Sequence, residues 1–311
     1  MKPRKTNMAA VVILSVIVLI LAALLVYSGL RYQNMAQKLQ SSQEELDQLR
    51  QEAEKKEESL EDSGESADEQ KQSSQPEEDG IEEEAAETYA TVMDIPAGKK
   101  VNADSVDMNN LPQYFMASEI PDEVYQRING KSYRDNPDIG LEDLRYLKML
   151  HYNYDHQIQV GEMIVNAQLA DEICSIFMEL FQNGYEINSM YLVDNYWAGD
   201  GDSTDYASID VNNTSAFNYR EQTGGGALSN HAYGCAIDIN PMENPYVVYD
   251  GDTPVSWSHS NADPYIDRTS GAEHVITHED LCYQIFTKYG YSWGGDWSNP
   301  KDYQHFEKRL Y

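Results

Sequence analysis

Between Glu57 and Glu87 the chain carries fourteen acidic residues against one lysine, Lys71, interleaved with Ser, Gln, Gly and Pro. A stretch of that composition cannot bury enough apolar surface to offset the entropy of ordering it. It therefore divides the chain, and a folded domain has to be built from the residues C-terminal to it. Like charges repel along such a segment and extend it, so residues 61–110 are expected to form a disordered spacer. A solvating tail with no positional role is the other reading of the same composition. Aromatic and aliphatic residues become regular near Leu111, which sets the expected folded domain at residues 111–311.

Ahead of the spacer, Lys2, Arg4 and Lys5 precede an apolar run over residues 8–30, interrupted by Ser15, Tyr27, Ser28 and Gly29. A bilayer span needs about 20 apolar residues, whereas the apolar region of a cleavable signal peptide is roughly 7 to 15. Residues 1–30 are thus expected to be a basic tip and an uncleaved transmembrane helix. The basic cluster before the span places the N-terminus in the cytoplasm and the rest of the chain outside. In residues 31–60, Leu39, Leu46, Ala53 and Leu60 fall seven apart, but Ser42 and Lys56 spoil the second seam position. That pattern supports a weak coiled-coil dimer at most, and a solvated single helix equally well.

The formal net charge of −31 repels nucleic acid and anionic lipid surfaces, which excludes a nucleic-acid partner. Cys174, Cys235 and Cys282 are an odd, sparse set without C-x-x-C spacing. They indicate small buried thiols rather than a disulfide framework or a thiolate metal site.

Within the folded part, residues 141–150 read as a short helix or a helix-to-strand passage, and 158–166 as a strand. Residues 167–183 carry Leu169, Ile173, Ile176, Phe177 and Leu180 on one stripe, a helix closed by Gly184. Residues 190–193 are strand-like, 194–213 loop-rich, and Gly224, Gly225 and Gly226 a mobile hinge. Residues 236–239 are an apolar strand, 242–276 a long irregular insertion, 279–289 a second helix ended by Gly290, and 291–307 a loop and strand. Helices and strands mix without strict alternation. The expectation is an α+β fold with a small, mostly antiparallel sheet and packed helices.

Two islands hold the chemistry: Ser229-Asn230-His231-Ala232-Tyr233-Gly234-Cys235-Ala236-Ile237-Asp238, and Gly294-Gly295-Asp296-Trp297 followed by Asp302-Tyr303-Gln304-His305-Phe306-Glu307. A histidine and an aspartate from the first and a histidine from the second would make a three-ligand catalytic zinc site with an open fourth position. Spacing alone fits a turn histidine and a strand-end aspartate as well. Period-two alternation places Glu307 on the face of His305. His274 and His278, four apart, could share a helix face, but no third ligand is near them and they read as the start of a helix.

The two islands resemble, in the right order, the motifs S-x-H-x-x-G-x-A-x-D and (E/D)-x-x-H of the zinc-dependent D-alanyl-D-alanine carboxypeptidase and L-alanyl-D-glutamate endopeptidase family of peptidoglycan peptidases. The resemblance implies Zn2+ held by His231, Asp238 and His305 in a cleft, with Asp302 as the catalytic acid and base and Glu307 as the alternative or an outer partner. Many relatives have glutamate where this chain has Asp302. The resemblance further implies Ser229 as a substrate contact and, from the segment Ser215-Ala216-Phe217-Asn218-Tyr219-Arg220, Ser215 and Asn218 as weaker ones. Arg220 is the candidate to meet the charge that develops on the intermediate, its other reading being a surface arginine paired with a carboxylate. Trp293, Trp297 and Tyr233 are candidate cleft walls. The function implied is hydrolysis of peptidoglycan stem peptides outside the membrane, either removal of the terminal D-Ala or cleavage between L-Ala and D-Glu. A catalytically silent cell-wall-binding module would keep the same zinc site without turnover.

Overall fold

The computed structural model describes residues 89–222 and 225–310. The apolar run over 8–30, the heptad over 31–60, the acidic run and Gly224 of the expected hinge lie outside them. Among the described residues no helix is long and apolar enough to cross a membrane.

Strand β1 (Phe115–Ser118) leads to helix α1 (Asp122–Ile128) and the long strands β2 (Leu144–Tyr152) and β3 (Ile158–Asn166). Helix α2 (Ala170–Gln182), strand β4 (Ser189–Met190), helix α3 (Gly201–Asp210) and strand β5 (Asn213–Thr214) come next. The remainder comprises β6 (Ala236–Asp238), β7 (Tyr246–Asp250), β8 (Thr253–Trp257), α4 (Leu281–Lys288), β9 (Ser292–Trp293), β10 (Lys301–Asp302) and β11 (His305–Glu307). Among the described residues, three antiparallel sheets, ordered β1-β2-β3, β6-β11-β9 and β10-β7-β8, accompany one short parallel pair, β4-β5. This is a mixed helix and sheet fold with small antiparallel sheets.

The amphipathic stripe of α2 forms as its spacing predicts: Ile173, Ile176, Phe177 and Leu180 are buried, and Gly184 comes after the helix with φ of 70°. Each such side chain contributes about 1.5–3 kcal/mol when fully buried. The helix packs on β1 and β2, and Phe177 meets Phe286 of α4 edge-on. Asp280 caps α4, its side chain accepting from the Cys282 amide. The core also takes in Val92 and Val106, upstream of Leu111. All three cysteines are buried free thiols.

Three expectations are corrected. Over residues 141–152 the helix-to-strand passage holds, a 3-10 turn at Leu141–Asp143 running into strand β2, and the short-helix alternative is the one corrected. Leu147 and Met149 enter one apolar cluster while Leu144 and Tyr146 enter another, so both faces are covered and no alternation survives in the sequence. Residues 201–210 form a helix inside the segment expected to be loop; Asp200 supplies its cap, accepting from the Ser203 amide at 2.7 Å. The insertion over 242–276 is not irregular throughout, because it contains the β7–β8 hairpin and a 3-10 helix at Ser260–Tyr265.

Gly234 joins this scaffold to the first motif. It closes the 3-10 helix Asn230–Tyr233 at φ of 65°, and its carbonyl accepts from the Asn166 amide at the end of β3. A Cβ there would lie 2.5 Å from the Asn166 nitrogen and 2.8 Å from the Val165 carbonyl carbon. Gly234→Ala should therefore cost about 2 kcal/mol or more in denaturant unfolding; an unchanged midpoint would contradict this packing.

Candidate metal centre and its cavity

Strand pairing builds the centre. In the β6–β11 ladder His305 lies directly opposite Asp238, Phe306 opposite Ile237, and Glu307 opposite Ala236. Directly opposed residues share a face, so Ile237 and Phe306 go to the core while Asp238 and His305 meet on the other side. The 3-10 helix at Asn230–Tyr233 then delivers His231, with the Ser229 hydroxyl accepting from the His231 amide.

Three ligand atoms converge. His231 Nε2 is 3.2 Å from His305 Nδ1 and 3.3 Å from Asp238 Oδ2, and His305 Nδ1 is 3.1 Å from Asp238 Oδ1. Among the described residues this is the one group of three or more such side chains gathered closely enough to hold a metal. Neighbouring ligand atoms of a tetrahedral zinc are about 3.3 Å apart, and two imidazoles with one carboxylate are a zinc-type donor set.

The outer contacts fix the tautomers. His231 Nδ1 donates to the Ala216 carbonyl at 2.6 Å, which leaves Nε2 as a lone pair. His305 Nε2 faces Glu307 Oε2 at 3.1 Å, which leaves Nδ1 as a lone pair. Two lone pairs and a carboxylate thus point at one spot, an arrangement that calls for a cation. Burial opposes charge on His305, yet its hydrogen bonds to Asp238 and Glu307 prevail and raise it to about 10. Asp238 is likewise held well below the carboxylate range, the pull of His231 and His305 outweighing its burial.

Glu307, the alternative base, sits on the far nitrogen of His305, and its Oε2 also accepts from the Asn230 side chain. Its hydrogen bond to His305 holds it down to about 2. A carboxylate so placed orients a ligand instead of taking a substrate proton. Glu307→Gln should weaken zinc binding about 10- to 100-fold, measured by competition with a chelating dye; unchanged affinity would remove Glu307 from the centre.

These groups open onto a cavity of about 660 Å³. Asp302 lines it together with Arg220, Ser229 and Trp297. Asp302 is half-buried, but its Oδ1 is sealed from solvent without a hydrogen-bond partner. Burial and the nearby Asp238 carboxylate raise it to about 7; a cation among the ligands would pull it back down. The Gly-Gly turn sets its position: a Cβ on Gly294 would lie 2.4 Å from the Asp302 carbonyl oxygen.

Arg220 reaches the cavity, with Nη2 on Asp205 Oδ2 at 2.7 Å. Ser215 and Asn218 do not line it. Ser215 exchanges both backbone hydrogen bonds with Asp238, and the Asn218 amide donates to the His231 carbonyl while its side chain donates to Gly201. The stretch 215–218 thus frames the ligands. Trp293 is buried, its indole donating to the Tyr303 carbonyl, and the Tyr233 carbonyl accepts from the Asn166 side chain; neither lines the cavity. His274 and His278 part company: His274 stacks on Tyr154, and His278 pairs with Asp296 at 2.7 Å. Sequence reasoning did not single out Asp205, Tyr206, Tyr246 or His259, all of which line the cavity. Tyr246 and His259 come from the insertion, and Asp205 and Tyr206 from a helix with no apolar stripe to announce it.

No curated protein and no solved structure matches the chain significantly. A family model described as D-alanyl-D-alanine carboxypeptidase matches residues 223–308. That segment, which carries the three converging ligands and Asp302, is what the chain has in common with this carboxypeptidase family.

Proposed function

We propose that the chain is a zinc-dependent peptidase that hydrolyses peptide bonds in peptidoglycan stem peptides. The observation that carries this reading is the meeting of His231, Asp238 and His305 around one point, in the same cavity as a carboxyl group with a sealed, unbonded oxygen. His231 Nε2, His305 Nδ1 and the Asp238 carboxylate would hold Zn2+, which supplies Lewis acidity toward the scissile carbonyl. Asp302 takes the proton of the attacking water on its carboxylate and returns it to the leaving amine. Arg220 lies where a guanidinium can meet charge developing on the carbonyl oxygen, and Asp205 holds it there. The Ser229 hydroxyl, already accepting from the His231 amide, keeps its own proton to offer to the substrate backbone.

The apolar run over residues 8–30 and the acidic run behind it support a single-pass anchor with the peptidase outside the cytoplasm, where its substrate lies. A tether of that kind lets the catalytic part range through a surrounding polymer.

The test is mass spectrometry of purified muropeptides incubated with the full-length chain, with and without zinc. Zinc-dependent loss of terminal D-Ala would identify a carboxypeptidase, and release of a peptide beginning at D-Glu an endopeptidase. A folded, zinc-loaded chain that yields no product from several wall types would overturn the peptidase reading in favour of a binding module.

A further inference from the structure

One group in the cavity takes no part in the proposed hydrolysis. His259 lies at the start of the 3-10 helix Ser260–Tyr265, its side chain is 2% exposed, and neither ring nitrogen has a hydrogen-bond partner. Its nearest ionic neighbour, Asp210 Oδ1, stands 3.4 Å from Nδ1. The backbone at His259 has φ of 72° and ψ of 129°, a region that few residues other than glycine occupy. The ring of Tyr206, from α3, covers the imidazole with centroids 3.9 Å apart. Buried polar atoms are almost always paired; with Asp210 beside Nδ1, it is Nε2 of this imidazole in the cavity wall that is left without a partner to meet what enters.

The charge of the cavity says what that is. Its described lining holds five carboxyl groups, Asp202, Asp205, Asp238, Asp302 and Glu307, against one guanidinium, Arg220, which Asp205 already engages. A divalent cation at the three ligands still leaves negative charge in excess. That excess draws in a primary amine. Burial keeps the His259 imidazole neutral, so one nitrogen offers a lone pair. The face of Tyr206 adds a favourable surface for a cation.

We propose that the arm of the cavity between α3 and residues 258–259 is a subsite for an amine-bearing side chain of the stem peptide, with His259 and Asp202 as its specificity-determining residues. The inference rests on the peptidase reading and names its substrate class: stems whose diamino residue keeps a free amine. Acylation of that amine, as in a cross-link, removes both the charge and the donors that the subsite would take.

Two synthetic stem peptides, identical except for a free or N-acetylated side-chain amine, test it on the full-length, zinc-loaded chain. The free amine should be preferred about tenfold or more in kcat/KM. His259→Gly, which relaxes the backbone and so keeps the fold, and Asp202→Asn, on an exposed helix turn, should each bring the ratio toward one. Calorimetric binding of the same peptides to the zinc-loaded Asp302→Asn chain reads the preference without turnover. Hydrolysis could then fail while the binding preference stands, which would separate the two proposals. Equal affinity for both peptides, binding of neither, or a ratio unmoved by both variants would overturn the subsite.

Discussion

Asp302→Asn is expected to lower kcat about 10²- to 10⁴-fold while the chain keeps its zinc. The asparagine fills the same space beside Gly294 but cannot take a proton from water. Metal content by elemental analysis, measured alongside turnover, separates this outcome from damage to the centre; a variant that retains more than a tenth of the wild-type kcat would remove Asp302 from the chemistry. The ionisation of Asp302 in the zinc-free chain supplies a second readout. Its folded value, about 7, lies above the ordinary aspartate value. The folded state therefore holds a proton that the unfolded state releases, and stability is lost as pH rises from about 4 toward 7. Asparagine has no proton to lose. Zinc-free Asp302→Asn should gain in melting temperature relative to zinc-free wild type across that window, and a gap that stays constant with pH would contradict the burial argument.

Zinc should raise the melting temperature of the wild-type chain substantially. At a thousandfold excess over Kd, binding to the folded state alone contributes about 4 kcal/mol. For a compact unit of this size, Glu83–Tyr311, that corresponds to about 8–16 °C. Asp238→Ala should abolish most of the shift, since it leaves two imidazole lone pairs without the carboxylate that closes the triangle. A shift of wild-type size in Asp238→Ala would place the metal elsewhere. Adding a chelator to the wild type should return the lower melting temperature.

The ligand set was legible through the resemblance of two short motifs, since spacing alone fitted a turn histidine and a strand-end aspartate equally well. His231 lies inside a capped 3-10 turn closed by Gly234, and Asp238 and His305 are strand residues whose side-chain direction is set by alternation. Alternation also put Glu307 on the face of His305, though it could not say that Glu307 touches the outer nitrogen. Ser215 and Asn218 were harder, because contiguity in a motif does not reveal which members turn inward to frame the ligands. The helix Gly201–Asp210 was hidden by its composition of Asp, Ser and Gly, which on its own favours turns; Asp200 and the covering residues decide otherwise. Over residues 141–152 the sequence left helix and helix-to-strand passage undecided for the opposite reason, apolar contacts on both faces. His259 could not be found from its chain neighbours, since what marks it is a buried ring nitrogen without a hydrogen-bond partner.

Two of the three candidate ligands and Asp302 belong to different sheets. Asp238 and His305 pair within β6-β11-β9, whereas Asp302 is carried by β10, whose partner is Tyr246 of the insertion hairpin. In the proposed mechanism, holding the ion and moving the proton would fall to different sheets, joined along the chain by Tyr303 and Gln304. Loosening the hairpin would slow catalysis and spare metal affinity.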